Sequence, residues 1–332
     1  MRRLSLFAGA ALVLAACPGP SVDCRVGADC ASGVCRSDGT CAPVDAGVGG
    51  GGGDLGGGAG GGGGGMGGGG GTGGGTGGGA QEDGGTPDAG TDAGMPVGCQ
   101  PNRDGVVQRN EIFLQPGLRA TFLTSGSATF DTAGTAQADG GRFWDFSGPL
   151  SGDASRLVET RSLQGTWFES EYPDAGYYTE LGQGTDLLAV FGATSDGLYL
   201  QGVVSTTDDL FSTRVRYAPW VKVLQFPLRA GDTWSTTTSV SGRFNGVVLG
   251  IQSETYSAQV DRVGDAKTPY ATFGSLRVRT VMSRTINFVP TLTLRTYQWV
   301  TECFGTVATV QSQDNETSTE FTNAKEVRRL AP

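Results

Sequence analysis

Four cysteines fall within eighteen residues, as Cys24-x5-Cys30-x4-Cys35-x5-Cys41, and two more, Cys99 and Cys303, stand about two hundred residues apart. Thiols can bind zinc, attack as nucleophiles or cross-link. A four-thiolate zinc site favours CxxC pairs, and the 24–41 cluster contains none. The chain has no histidine. That excludes Ser-His-Asp and Cys-His nucleophilic mechanisms and removes the commonest transition-metal ligand. It also removes the side chain best placed for acid–base work near neutral pH. Carboxylates, lysine, tyrosine or a hard metal ion are left. Glu159, Glu169, Glu171 and Glu180 contain the candidate pair for glycoside hydrolysis, but their spacing sets no two of them across a cleft. Solvated strand faces are the expectation for these residues, and no catalytic residue is assigned. Trp144, Trp167, Trp220, Trp234 and Trp299 could stack on sugars; all five sit in strand-like runs, and at strand spacing they read as core.

One stretch has the spacing of a cation site. Gln100-Pro-Asn102-Arg-Asp104-Gly105-Val106-Val107-Gln108-Arg-Asn-Glu111 resembles the twelve-residue EF-hand-like calcium loop. The resemblance implies Asn102 and Asp104 as ligands at positions three and five, and Gly105 at the sharp turn. It also implies the Val106 carbonyl at seven, buried Val107 at eight and bidentate Glu111 at twelve. Gln100 stands where the family has Asp, and Pro116-Gly117 rules out a following helix. The simpler alternative is a turn on Arg103-Asp104-Gly105, with Glu111 solvated on a strand edge. Calcium is the one cofactor considered, and none is required.

Arg2 and Arg3, the apolar run Leu4 to Ala16 and the tetrapeptide Leu14-Ala15-Ala16-Cys17 describe an export signal, too short to span a bilayer. The tetrapeptide resembles the lipobox of bacterial lipoproteins. That resemblance implies cleavage before Cys17, a diacylglycerol on Cys17, and, with Pro18 where the inner-membrane retention signal has Asp, sorting to the outer membrane. Export makes disulfides the default for the six other cysteines. Within Cys24, Cys30, Cys35 and Cys41 three pairings stay open; Cys99 with Cys303 is the expected long-range bridge.

The expected organisation is a signal peptide over 1–16, a lipidated cysteine-rich segment over 17–45, a glycine-rich linker over 46–96 and a β-rich domain over 97–332. The linker holds many of the 58 glycines and should stay disordered. Roughly fifty such residues have a root-mean-square span of about 40 Å. No strand, helix or Gly-Lys-Ser/Thr accompanies the glycines, which rules out a nucleotide loop. The formal charge of −9 makes nucleic acid an unfavourable partner.

Period-two alternation dominates beyond residue 97. Leu276, Val278, Met282, Ile286 and Phe288 are the expected core side of one strand, and Ser275, Arg277, Arg279, Ser283, Thr285 and Asn287 its polar side. A turn is expected at Val289-Pro290-Thr291, and the parity shift between Leu294 and Tyr297 suggests a β-bulge. Similar runs occur at Arg142–Ser147, Asp186–Ala193, Leu198–Val204, Trp220–Phe226, Thr233–Ser241 and Tyr256–Val263. No helix longer than about two turns is expected. The fold class is all-β: an antiparallel barrel, half-barrel or sandwich of roughly a dozen strands. Phe226-Pro-Leu228-Arg-Ala-Gly231-Asp-Thr-Trp234, Thr268-Pro-Tyr-Ala-Thr-Phe273-Gly-Ser-Leu276-Arg-Val278 and Glu302-Cys303-Phe304 to Val310 resemble elements of periplasmic and lipoprotein β domains. That resemblance brings packing and turns, and no activity.

Three functions fit. The first is a non-enzymatic lipoprotein tethering a binding or structural module to the outer membrane, on its periplasmic or cell-surface face. Its partners would be the membrane, through the lipid anchor, and a cell-surface or wall component. The alternatives are a carrier of lipid or another hydrophobic ligand, which needs an apolar cavity, and a carbohydrate or cell-wall binding module, which needs exposed tryptophans in line.

Overall fold

The computed structural model describes Cys99, residues 101–182 and residues 185–332. Cys17, Cys24, Cys30, Cys35, Cys41 and the glycine tract lie outside the described residues, and so do the expected boundaries at 16/17 and 45/46. Short strands open the domain: β1 (Val106–Val107), β2 (Arg119–Gly126), β3 (Thr135–Ala136), β4 (Arg142–Asp145), β5 (Ala154–Glu159) and β6 (Tyr177–Glu180). Next come β7 (Leu187–Ala193), β8 (Gly197–Ser205), β9 (Arg214–Gln225), β10 (Leu228–Arg229), β11 (Thr233–Phe244) and β12 (Val247–Val248). The last five are β13 (Gln252–Lys267), β14 (Thr272–Ile286), β15 (Val289–Thr301), β16 (Gly305–Ser312) and β17 (Ala324–Ala331). Helical structure among the described residues is confined to 3-10 turns at Arg109–Glu111 and Glu169–Glu171.

Twelve strands form one antiparallel sheet in the order β5-β2-β17-β16-β15-β14-β13-β11-β9-β8-β7-β6. Its two edges meet. Arg161 N–H donates to Tyr178 O at 2.8 Å and Tyr178 N–H to Arg161 O at 2.9 Å, and Arg156 pairs with Glu180 at 3.6 Å. The sheet therefore curls into a nearly closed barrel, joined at its two edges by this bridge.

Side chains from β6 to β11 and β13 to β15 join Val107, Ile112 and Leu114 in one apolar cluster. Most of these strands are neighbours in the sheet, so the cluster is its concave side; its members are almost wholly shielded from solvent, with Val107, Ile112 and Leu114 packed into it as a plug. The inward positions of β15 to β17 and β2 continue as a polar stripe: Thr296 faces Gln311, Gln298 faces Thr309, and Arg328 faces Thr124.

The outer side is covered too. Residues 128–147 lay Phe130, Trp144 and Phe146 over Tyr297 and Trp299, with Phe130 and Phe146 stacked at 4.2 Å and Phe146 edge-on to Trp299 at 4.8 Å. Under this flap lies Arg277, fully buried. It makes two 2.9 Å bonds to Asp261, bonds of 3.1 and 2.7 Å to Glu320, and a bond to Thr132 O. The rings of Tyr297 and Trp144 lie 4.4 and 5.5 Å from its guanidinium carbon.

Several expectations for β14 and β15 need correction. Ser275 and Arg277, expected on a polar outer side, are buried, because the flap roofs that side. Ile286 and Phe288, expected in the core, are exposed, because the strand runs past the end of the barrel. The turn is Asn287-Phe288, between paired Ile286 and Val289, and Val289-Pro290-Thr291 already belongs to β15. Leu294 and Tyr297 mark no bulge; they pack into different clusters on opposite sides. The ladder irregularities fall at Thr291, opposite Arg284/Thr285, and at Val307, opposite Trp299/Val300.

Burial alone would raise the Glu320 pKa, but Arg277's hydrogen bonds and charge outweigh it and hold the carboxyl below its ordinary 4.5. A depressed carboxyl stabilises the fold above its unfolded pKa, and that contribution is lost as pH falls through the folded value. Melting temperature measured from pH 6 downward should therefore fall steeply once the pH drops below about 4.5, and the Glu320→Gln variant, less stable at neutral pH, should show a shallower slope there.

Candidate functional site

The residues that lead into the barrel are held by their own side chains. Asn102 Oδ1 accepts from Asp104 N–H at 2.9 Å and Asp104 Oδ1 from Val106 N–H at 2.8 Å. Each is a turn in which a short polar side chain caps the backbone two residues on. Gly105 takes φ +79° between them, a conformation that favours glycine. Val106 and Val107 then pair with Arg229 and Leu228. Glu111 closes the loop: one oxygen accepts from Asn102 Nδ2 and the other from Gln108 N–H, both at 2.8 Å.

Three ties bind this loop to the β15–β16 turn. Cys99 and Cys303 form a disulfide with Cα atoms 5.4 Å apart. Cys303 N–H donates to Glu111 O at 2.9 Å, and Arg103 N–H donates to Glu302 Oε2 at 3.0 Å. Asn102, Asp104 and Glu111 thus come together, but as partners of each other and of the backbone. Among the described residues no group of three or more Cys, Asp and Glu is arranged to hold a metal ion.

Beside the loop a cavity of about 980 Å³ opens at this end of the barrel. Arg103, Val106 and Val107 line one wall, Gln137 to Gly141 a second, Gln259 to Asp265 a third, and Thr272 to Leu276 with Val300 to Glu302 and Phe304 the rest. The third wall exists because β13 bulges: the register with β14 slips between Val260 and Arg262, so Asp261 turns to Arg277. Beyond residue 259, where β11 stops, β4 takes over the edge of β13 in parallel register from Gly264↔Arg142 to Lys267↔Asp145. Gly264 permits this contact; a Cβ there would lie 1.9 Å from Arg142 O.

The lining is apolar at Val107, Val260, Val263, Phe273, Leu276 and Phe304, and charged toward its rim. Asp261 is neutralised by Arg277 and Arg279. Asp139, Asp265 and Glu302 then face Arg103 and Arg262, a slight excess of negative charge. Sequence reasoning missed Val263, Asp265 and Arg277. The three stretches that resemble periplasmic β domains converge here: Gly231, Phe273 and Glu302 with Phe304 all line the cavity.

The other candidates are dispersed. Glu159 pairs with Arg119 and Arg161, Glu171 with Arg214 and Arg216, and Glu180 with Arg156, while Glu169 accepts from Gly165 N–H at 2.9 Å. Trp144 and Trp299 are core. Trp167 lies in a turn, not a strand, and donates to Ser205 O; Trp234 donates to Lys222 O. Trp220 is the one tryptophan among them classed as exposed, and none lines the cavity.

No family model matches the sequence, and no curated protein matches it. Among solved structures the chain aligns with a candidate lipoprotein from Parabacteroides distasonis ATCC 8503, at 9% identity over 65% of this chain and 95% of that one, with a TM-score of 0.31. It also aligns with a candidate exported protein with a YmcC-like fold from Bacteroides fragilis NCTC 9343, at 13% identity over 66% of this chain and 97% of that one, with a TM-score of 0.30. Likeness at these scores is too slight to carry function, which must come from the chain's own residues.

Replacing Cys99 and Cys303 together by Ser opens a loop closed by a sequence separation of 204. The expected cost is about 2–5 kcal/mol of unfolding free energy, measured from the urea midpoint, with faster hydrogen exchange at Arg103 as its contact with Glu302 loosens.

Proposed function

We propose that this chain is a non-enzymatic lipoprotein of the outer membrane whose barrel binds a small ligand at the mouth beside its linker. The observation that carries the reading is the filled barrel with a cavity at one end. Valines, leucines, Ile112 and the plug occupy much of the lumen, so a long acyl chain has little room inside it. The mouth offers Val263, Phe273, Leu276 and Phe304 under a carboxylate-bearing rim, which suits a neutral or cationic amphiphile and repels an anion. Membrane attachment is inferred from Leu14-Ala15-Ala16-Cys17. The cavity opens at the end of the barrel that carries Cys99 and Cys303.

Two measurements test it. In cell fractionation the parent chain should sediment with outer membranes and the Cys17→Ser variant should not; equal retention would sink the lipoprotein reading. In native mass spectrometry of the chain from residue 18 onward, a small co-purifying ligand should appear and be lost in Val263→Trp, which fills the mouth. A bare parent polypeptide would leave the cavity without a ligand role.

Calcium at Asn102, Asp104, the Val106 carbonyl and Glu111 is a separate proposal, supported by the order of those residues and by Gly105 at the turn. For Asn102 and Glu111 to coordinate an ion, their mutual hydrogen bond must open. A rise in melting temperature with calcium, reversed by a chelator and absent in Glu111→Gln, is the expected signature; identical melting with and without chelator would dismiss the site.

A further inference from the structure

The end of the barrel opposite Cys303 carries an apolar rim. Leu210, Phe211, Val247, Val248 and Phe288 are between 69% and 84% exposed, and Ile251 is nearly as open. They come from three neighbouring places in the chain: the β8–β9 connection, the β11–β12 hairpin with Ile251 after it, and the β14–β15 hairpin. Gly246 sits against Leu210 O and Phe211 Cα, and Asn287 N–H donates to Ile251 O at 2.8 Å. A contiguous group of this kind is unusual on a soluble surface and marks a contact site.

One tip is built at a cost. Asn287 and Phe288 form a two-residue hairpin turn with φ of +49° and +66°, the geometry that favours Asn-Gly. The neighbouring hairpin uses Asn245-Gly246 at the same turn positions. A phenylalanine held left-handed, where glycine fits without strain, and pointed into solvent is not explained by folding.

We propose that this rim inserts into a lipid bilayer surface. The side chains sit at or beside hairpin ends and are largely open to solvent, and none of them lines the cavity at the mouth. Charge permits it: residues 243–253 and 283–299 contain no carboxylate, and Glu254, next along the chain, is buried against Arg284. The third turn carries Asp208 and Asp209: Asp208 pairs with Arg214 and Arg243, and Asp209 accepts from Phe211 N–H and Thr207 Oγ1. Chain length agrees as well. Residues 18–98 reach up to roughly 270 Å when extended, against about 53 Å for the sixteen residues of β13. A chain anchored at Cys17 can therefore turn its far end to a bilayer. That last step rests on lipidation at Cys17; the test below omits the lipid and does not.

The chain from residue 18 onward would be floated with vesicles of phosphatidylethanolamine containing a minority of phosphatidylglycerol. The parent should bind. Phe288→Gly should lower the partition coefficient at least about tenfold, the scale of one lost aromatic side chain, while raising the melting temperature because the turn is relaxed. Phe211→Ser with Val248→Ser should abolish binding and leave the melting temperature nearly unchanged. Absence of parent binding, or binding indifferent to these substitutions, overturns the proposal. A dimer in lipid-free solution that the same substitutions dissolve would assign the rim to a second copy of the chain instead.

Discussion

Arg277 holds together what would otherwise be separate layers. A guanidinium with no water around it must find its hydrogen bonds within the protein, and removing a single partner from such a group costs about 3–5 kcal/mol. Here the partners come from three places: Asp261 on the neighbouring strand, Thr132 O on the flap, and Glu320 on the loop before β17. Asp261 reaches it because β13 bulges at that residue. The bulge bends β13 away from the line of β11, and the bend gives β4 an edge to pair with. The same bend separates Gln259–Asp265 from the plug and leaves the cavity between them. One buried charge on the outside of the barrel thus shapes an opening at its mouth.

The filled interior explains why function is pushed to the two ends. A twelve-strand barrel is wide enough to hold a ligand, and inward side chains decide whether it does. In this chain buried tyrosines, leucines and valines line the concave side, and Ile112 and Leu114 from the N-terminal segment join the same cluster. Tyr217 and Tyr256 sit in it with their hydroxyls pushed well above the ordinary tyrosine range by desolvation, as expected of phenols kept neutral in a dry interior. Glu254 and Arg284, also buried, answer one another at 2.7 Å. A polar pair so enclosed fixes the register of β13 against β14 and offers nothing to solvent.

Much of this was legible in the chain. Alternation gave the strands, because one buried side per strand is what a period of two records. Every run singled out by pattern overlaps a strand, from Arg142 in β4 to Val263 in β13, with ends one or two residues outside it at Phe146–Ser147, Asp186 and Phe226. What alternation could not reveal is a second buried side. Ser275 and Arg277 look like solvent positions because the flap that covers them comes from residues more than a hundred positions earlier, and no local pattern encodes that cover. The apparent parity change between Leu294 and Tyr297 has the same origin: both sides of β15 are buried, so apolar residues stand at both parities, Leu294 inside and Tyr297 outside. The cavity was half legible. Phe226 to Trp234, Thr268 to Val278 and Glu302 to Val310 stood out as shared turn and packing elements, yet their convergence on one mouth depends on the sheet order.

The two ends differ in how they spend conformational freedom. At the mouth each irregularity has a structural reason. Gly105 turns the loop, Gly264 lets β4 approach, and Cys303 carries its positive φ beside the disulfide that holds it. At the far end Asn245-Gly246 is the low-strain solution for a tight hairpin, and Asn287-Phe288 departs from it with the Phe288 side chain exposed. Turns tolerate a strained residue where its side chain gains something outside the fold. A barrel secured at one end by a covalent tie, and bearing its strain as an exposed aromatic at the other, has the polarity of a module held from one side and presented from the other.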